Sequence, residues 1–128
     1  MNVIKSYRDL QVWRLAINLS TEVYATTSSF PKNEIFGLCS QLQRAAVSVA
    51  SNIAEGHARE STKEYLRFIS IALGSLAELE TQFIISNNLN YINQVNLDGI
   101  LEKTSEIGRM LRGLQKSLKA KLLDPTSP

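Results

Sequence analysis

The stretch QLQRAAVSVASNIAEG, Gln41 to Gly56, decides how the chain reads. Leu42, Ala45, Val49 and Ile53 recur at intervals of three and four, the period of one helical face. Beside them Ala46, Ala50 and Ala54 form a flank of bare methyl groups that lets a neighbouring backbone come close. A third line is polar: Gln41, Arg44, Ser48, Ser51, Glu55 and Arg59. Working outward, the helix is expected over about residues 33–57, with Leu38 extending the core stripe and Gly56 fitting a helix end. Glu55 and Arg59 stand four apart in the order that favours an ion pair.

The same period runs through the rest of the chain. Proline occurs only at Pro31, Pro125 and Pro128, so nothing between 32 and 124 breaks a helix outright. A first helix is expected over about residues 7–27 and carries two apolar faces. Leu10, Trp13, Ile17 and Tyr24 make one, read as the core face; Val12, Leu15, Ala16, Leu19 and Val23 make the other. A helix apolar on two sides has a second neighbour, and in so short a chain the second face is a candidate subunit interface. Ser61-Thr62-Lys63-Glu64 has capping-box spacing and opens a third helix, about 62–86. Asn87 to Asn96 holds five asparagines and reads as a loop. A last helix, about 97–122, has a narrow stripe of Leu97, Ile100, Ile107, Leu111, Leu114, Leu118 and Leu122, and residues 124–128 read as a frayed tail. Four long helices joined by short connections predict an antiparallel up-down four-helix bundle, one all-α domain over residues 1–128, and the second apolar face of the first helix predicts a homo-oligomer.

Composition narrows the function classes. The apolar share of 44% suits a folded chain, and a net charge of +2 means that contact with nucleic acid must go through a patch. One cysteine, Cys39, excludes an internal disulfide and fits a reducing compartment. No secretion signal is evident, and no apolar run is expected to reach the roughly 18 residues that cross a bilayer. The expected place is the cytoplasm, with no membrane partner.

Taken in order and spacing, several short pieces resemble one family, the bacterial four-helix bundle proteins called 23S rRNA intervening-sequence proteins. They are Tyr7-Arg8-Asp9-Leu10 with Val12-Trp13, Val23-Tyr24, Phe30-Pro31, Glu34 with Phe36-Gly37-Leu38, Arg44-Ala45-Ala46-Val47-Ser48, Ser51-Asn52-Ile53-Ala54-Glu55-Gly56, Gly74-Ser75-Leu76 and Glu78-Leu79-Glu80. The resemblance spans about residues 7–118 and extends more distantly to the accessory protein of diversity-generating retroelements. It implies a homopentameric ring, association with RNA or with an RNA-handling protein, and no enzymatic activity. Gln43 stands where the family often has a basic residue, which leaves the polar stripe of the second helix less positive.

No residue set points to catalysis. His57 and Cys39 are the only histidine and cysteine and lie far apart, and no Glu-x-x-His pair exists, so neither metal nor cofactor is expected. No glycine-rich phosphate loop is present; Gly74 and Gly113 are lone helix glycines, read as close-packing points. Asn52 and Glu55 are read as structural polar groups. Trp13 lies in line with Leu10 and Ile17 and is read as core rather than as a stacking platform. The strongest electrostatic feature is a row on the last helix, Arg109, Arg112, Lys116 and Lys119, with no acidic residue between Ile107 and Lys121. Arg44, Arg59, Lys63 and Arg67 form a second, dispersed candidate. The bland reading of both is a solvated face; the functional one is phosphate contact, multiplied by symmetry in an oligomer. The sequence thus predicts a non-enzymatic binding protein for RNA or another nucleic acid, with a protein-interaction scaffold or accessory subunit of an RNA-handling enzyme as the alternative.

Overall fold

The computed structural model describes residues 3–124, and every regular element among them is helical. The tail expected beyond Pro125 lies outside the described residues. Four α-helices run over Gln11–Thr27 (α1), Leu38–Ala58 (α2), Thr62–Asn88 (α3) and Gln94–Leu123 (α4), with 3-10 turns at Tyr7–Asp9 and Lys32–Glu34. Cross-helix contacts fix the direction. Gln82 Nε2 donates to Gln41 Oε1, Ser48 bonds Ser75, and Gly56 meets Tyr65 and Phe68, so α3 runs opposite to α2. Gln115 Nε2 donates to Ser70 Oγ and Thr104 Oγ1 to Glu80, in the same register, so α4 runs opposite to α3. Each helix is antiparallel to the next, and α4 closes the bundle against α1 through the Lys103–Glu22 ion pair.

Helix starts follow local chemistry. Ser6 and Asp9 form a capping box in which Ser6 Oγ accepts from the Arg8 amide and Asp9 Oδ2 accepts from the Ser6 and Lys5 amides. That box closes a separate turn, Leu10 is extended, and α1 begins only at Gln11, four residues later than the periodicity suggests. Ser61 Oγ caps α3 by accepting from the Glu64 amide. At the α3–α4 connection Asn90 has φ 63°, the Tyr91 amide donates to Ser86 O and the Asn90 amide to Asn87 O. This is a Schellman motif with asparagine in its left-handed position. Asn93 Oδ1 then accepts from the Asn96 amide, so α4 starts at Gln94, three residues before the expected point.

The core corrects the reading of α1. Val12, Ala16, Leu19 and Val23 are buried within a single chain, and Leu15 packs against them half-buried. They form the seam with α2 and α4, so Val12, Ala16, Leu19 and Val23 are taken up within the chain, while Leu15 also lines a groove between α1 and α4. Of the face read as core, Leu10 and Trp13 are half-buried at its rim, while Ile17 and Tyr24 are exposed, Tyr24 at 50%. The buried line is unbroken from Val12 through Thr27 to Phe30. The other is interrupted by Thr21. Close contact with α2 depends on its small residues: Ser20 Oγ donates to Ala46 O at 3.1 Å, and Ala45, Ala46 and Ala50 are all buried.

Three further expectations change. Gly56 lies inside α2, and a Cβ there would sit 2.9 Å from Phe68 Cβ and from Tyr65 Cδ1. Its role is close approach to α3. Gly74 and Gly113 face open space, while a Cβ on Gly108 would touch Leu76 at 3.4 Å. Finally, α3 is long and apolar enough, by length and composition, to cross a membrane, contrary to the sequence reading. Here Phe68, Ile69, Ala72, Leu76, Leu79 and Phe83 pack into the bundle core.

Candidate nucleic-acid interface

Antiparallel pairing of α3 with α4 joins what the sequence shows as two separate basic clusters. Lys63 and Arg67 lie in the first turns of α3, and Lys119 lies near the end of α4. The three line one groove of about 350 Å³ with Glu64, Leu66 and Ser70. A second groove of about 330 Å³ continues along the same seam and has Arg109 and Arg112 on its α4 wall. The Gln115–Ser70 hydrogen bond, 3.2 Å, spans the seam between the two grooves. Lys116 falls between Arg112 and Lys119 at helical spacings of four and three, and so shares their line. All six cations are exposed.

The floor is aliphatic, formed by Leu66, Leu73 and Leu76, and the lower wall carries hydroxyls at Thr104 and Ser105. Thr104 is a core-facing polar residue that the apolar pattern passed over, filling the gap between Ile100 and Ile107. It is fully buried and donates to Glu80 Oε2 at 2.5 Å, which ties up the one carboxylate of the lower groove. Its position at three and four residues from Leu101, Ile100, Ile107 and Gly108 was the available signal.

The remaining candidates divide. Arg59 lies beside the upper groove, its guanidinium 4.9 Å above the Phe68 ring, with Arg67 5.7 Å from the same ring. The expected Glu55–Arg59 pair is not formed. Arg59 is the C-cap, and its guanidinium is turned onto the Phe68 ring instead. Arg44 lies elsewhere, in a shallow depression on the α1–α2 side lined by Tyr24, Gln43 and Val47. Asn52 is half-buried and donates to Ser48 O and Oγ, and Ser48 in turn bonds Ser75 of α3 at 2.7 Å. This chain joins α2 to α3 through Ser48 and occupies Asn52 completely on the donor side. Trp13 packs against the Tyr7 ring, 5.1 Å between centroids, at the rim of the core.

Titratable groups off the groove serve the fold. Glu34 Oε1 accepts from the Leu38 amide at the start of α2, and Glu34 Oε2 accepts from Tyr91 Oη at 3.0 Å. That bond holds the tyrosine hydroxyl neutral and pushes its pKa up. The Cys39 thiol is buried and its pKa is also raised, by burial and then by Glu34. His57 stands edge-on to Tyr65, centroids 5.8 Å apart. Among the described residues, no three His, Cys, Asp or Glu side chains come together.

This fold has known counterparts. A structure of a protein of unknown function from the S23 ribosomal protein family of Bacteroides thetaiotaomicron superposes with a TM-score of 0.74, covering 82% of this chain and 98% of the other at 20% identity, a likeness that speaks for the fold alone. No curated protein matches the chain. The family profile described as 23S rRNA-intervening sequence protein matches residues 8–113, most of the length of the bundle. The chain belongs to the 23S rRNA-intervening sequence protein family.

Proposed function

We propose that this protein is a non-enzymatic, homo-oligomeric binding protein of the bacterial cytoplasm that associates with RNA or another nucleic acid through the α3–α4 basic seam. One observation carries the reading: Lys63, Arg67, Arg109, Arg112 and Lys119, distant in sequence, line two neighbouring grooves along one seam. Membership of a family named for ribosomal RNA supports the same direction. Each phosphate neutralised releases counterions, so affinity falls steeply with salt, and a ring of copies multiplies the contacts available to one polyanion. The face that suits assembly is α1–α2. There Tyr24 and Val47 line one depression and Ile17 continues the exposed apolar line of α1. A homopentameric ring is the arrangement that the family resemblance suggests.

Filter binding of the purified protein to a structured RNA at two salt concentrations tests the reading. Tight binding at low salt that weakens sharply at high salt is expected; an intact oligomer that binds no RNA at low salt rejects it. A second reading, a scaffold or accessory subunit of an RNA-handling enzyme, is favoured by the bundle end opposite the chain termini. Phe36 is 96% exposed there beside Ile35, and an uncovered aromatic side chain suits a protein contact. Pull-down with and without nuclease separates the two, since a scaffold keeps its partners after nuclease.

A further inference from the structure

We infer that the α3–α4 seam is built for a double-helical nucleic acid and discriminates against single strands. This inference rests on the nucleic-acid reading above and narrows it. Proteins that hold single strands without reading sequence combine a basic track with aromatic rings on which successive bases stack. The seam has the track without the rings. Its floor is Leu66, Leu73 and Leu76. Phe68, next to the groove residue Arg67, is buried, and the Arg59 and Arg67 guanidiniums stand over it. Other rings among the described residues are engaged elsewhere: Tyr7 with Trp13, Phe30 with Tyr91, Tyr65 with His57. The exposed Tyr24 and Phe36 belong to the α1–α2 side and to the turn before α2, away from the seam.

With stacking removed, affinity depends on phosphate density alone. The row from Arg109 to Lys119 spans ten helical steps, about 15 Å of helix. A duplex offers one charge per about 1.7 Å of axis and a single strand about half that density, so the same row meets about twice as many phosphates on a duplex. Cations on both walls, Lys63 and Arg67 opposite Lys119, suit a phosphate rail lying along the seam. Base edges are not read from such a site, and sequence preference should be weak.

The test compares an RNA duplex of about 20 base pairs, of mixed sequence, with an oligouridine strand of about the same length, both titrated at two salt concentrations. Binding of the duplex at least about tenfold tighter is expected, with little change on altering its sequence. Replacing both Arg112→Gln and Lys116→Gln should flatten the log–log salt slope by about two for each copy that touches the duplex, whereas Lys32→Gln, in the turn before α2, should leave it unchanged. All three are exposed, and circular dichroism verifies that the fold persists. Equal or tighter binding of oligouridine overturns this inference while leaving the nucleic-acid reading standing. An unchanged slope in the double variant overturns the seam as the contact. Failure of both probes to bind at low salt overturns the broader reading as well.

Discussion

Single side chains explain why an asparagine-rich segment ends one helix and starts the next. Asn87 Nδ2 donates to Ile92 O across the loop, Asn90 takes the left-handed backbone position, and Asn93 caps α4. The three have different tasks, and composition alone marks only a loop. Asn90 is the one that a substitution tests most cleanly. An alanine there puts a Cβ into the left-handed region at a cost of roughly 1–2 kcal/mol, whereas glycine carries no such penalty. Asn90→Ala should therefore lower stability to urea by about 1 kcal/mol, and Asn90→Gly should leave it unchanged or raise it. Gly56 makes the opposite kind of demand. Alanine would gain up to about 1 kcal/mol of helix propensity. Its Cβ, however, would lie 2.9 Å from Phe68 Cβ, an atom fixed next to the α3 backbone. Overpacking of this kind costs about 1–3 kcal/mol, so the steric term wins and Gly56→Ala should lower the melting temperature. Gly113→Ala, with nothing within 4 Å of the new Cβ, should raise it.

At the scale of elements, the sequence carries helix identity and most of the register, because the buried residues of each helix recur at three and four, although the α4 stripe ends at Leu118 and leaves Leu122 exposed. It does not rank two apolar faces on one helix. On α1 the line of Leu10, Trp13, Ile17 and Tyr24 carries the larger side chains, yet the thinner line of Val12, Ala16, Leu19 and Val23 is the buried one, and Ser20 beside it bonds Ala46 O of α2. Shape complementarity between two helices decides this, and hydropathy along one helix does not contain it. The candidate site was legible as two basic clusters; that they adjoin follows from antiparallel pairing, which sets Lys63 against Lys119. The late start of α1 was hidden because its cause is a side-chain hydrogen bond. The Lys5 amide, then the Ser6 amide, hold the Asp9 carboxyl below its ordinary pKa. A carboxyl depressed on folding adds stability that is fully present above its unfolded value, about 3.9, and is lost as pH falls through the folded value. In an acid titration followed by NMR, the Lys5 and Ser6 amides should lose their hydrogen-bonded shifts below pH of about 3.9, and Asp9→Asn should abolish that acid-side step.

For the whole molecule, the swap of faces on α1 moves the question of assembly rather than removing it. A second subunit cannot use Val12, Ala16, Leu19 or Val23, which already fill the core. What remains outside is Ile17 at 38%, Tyr24 at 50% and Val47 at 42% exposure, with Tyr24 and Val47 in the same depression. Exposed apolar side chains grouped on one face, as Tyr24 and Val47 are here, suit a contact site. The two faces now predict opposite behaviour on introducing a charge. Tyr24→Glu keeps every core contact within the subunit, so the helical spectrum should persist while size exclusion with light scattering reads a fall to the monomer mass. Val23→Glu buries an unpaired carboxylate in the seam with α2, a cost of several kcal/mol that a bundle of this size does not withstand, and should lose the helical spectrum itself. Since the basic seam lies on α3 and α4, a Tyr24→Glu monomer should still bind a short duplex, but with a shallower salt dependence than the assembled protein if several copies normally contact one polyanion. An unchanged mass for Tyr24→Glu would place the subunit contact on another face, and retention of the full salt slope by a monomer would remove symmetry from the account of binding.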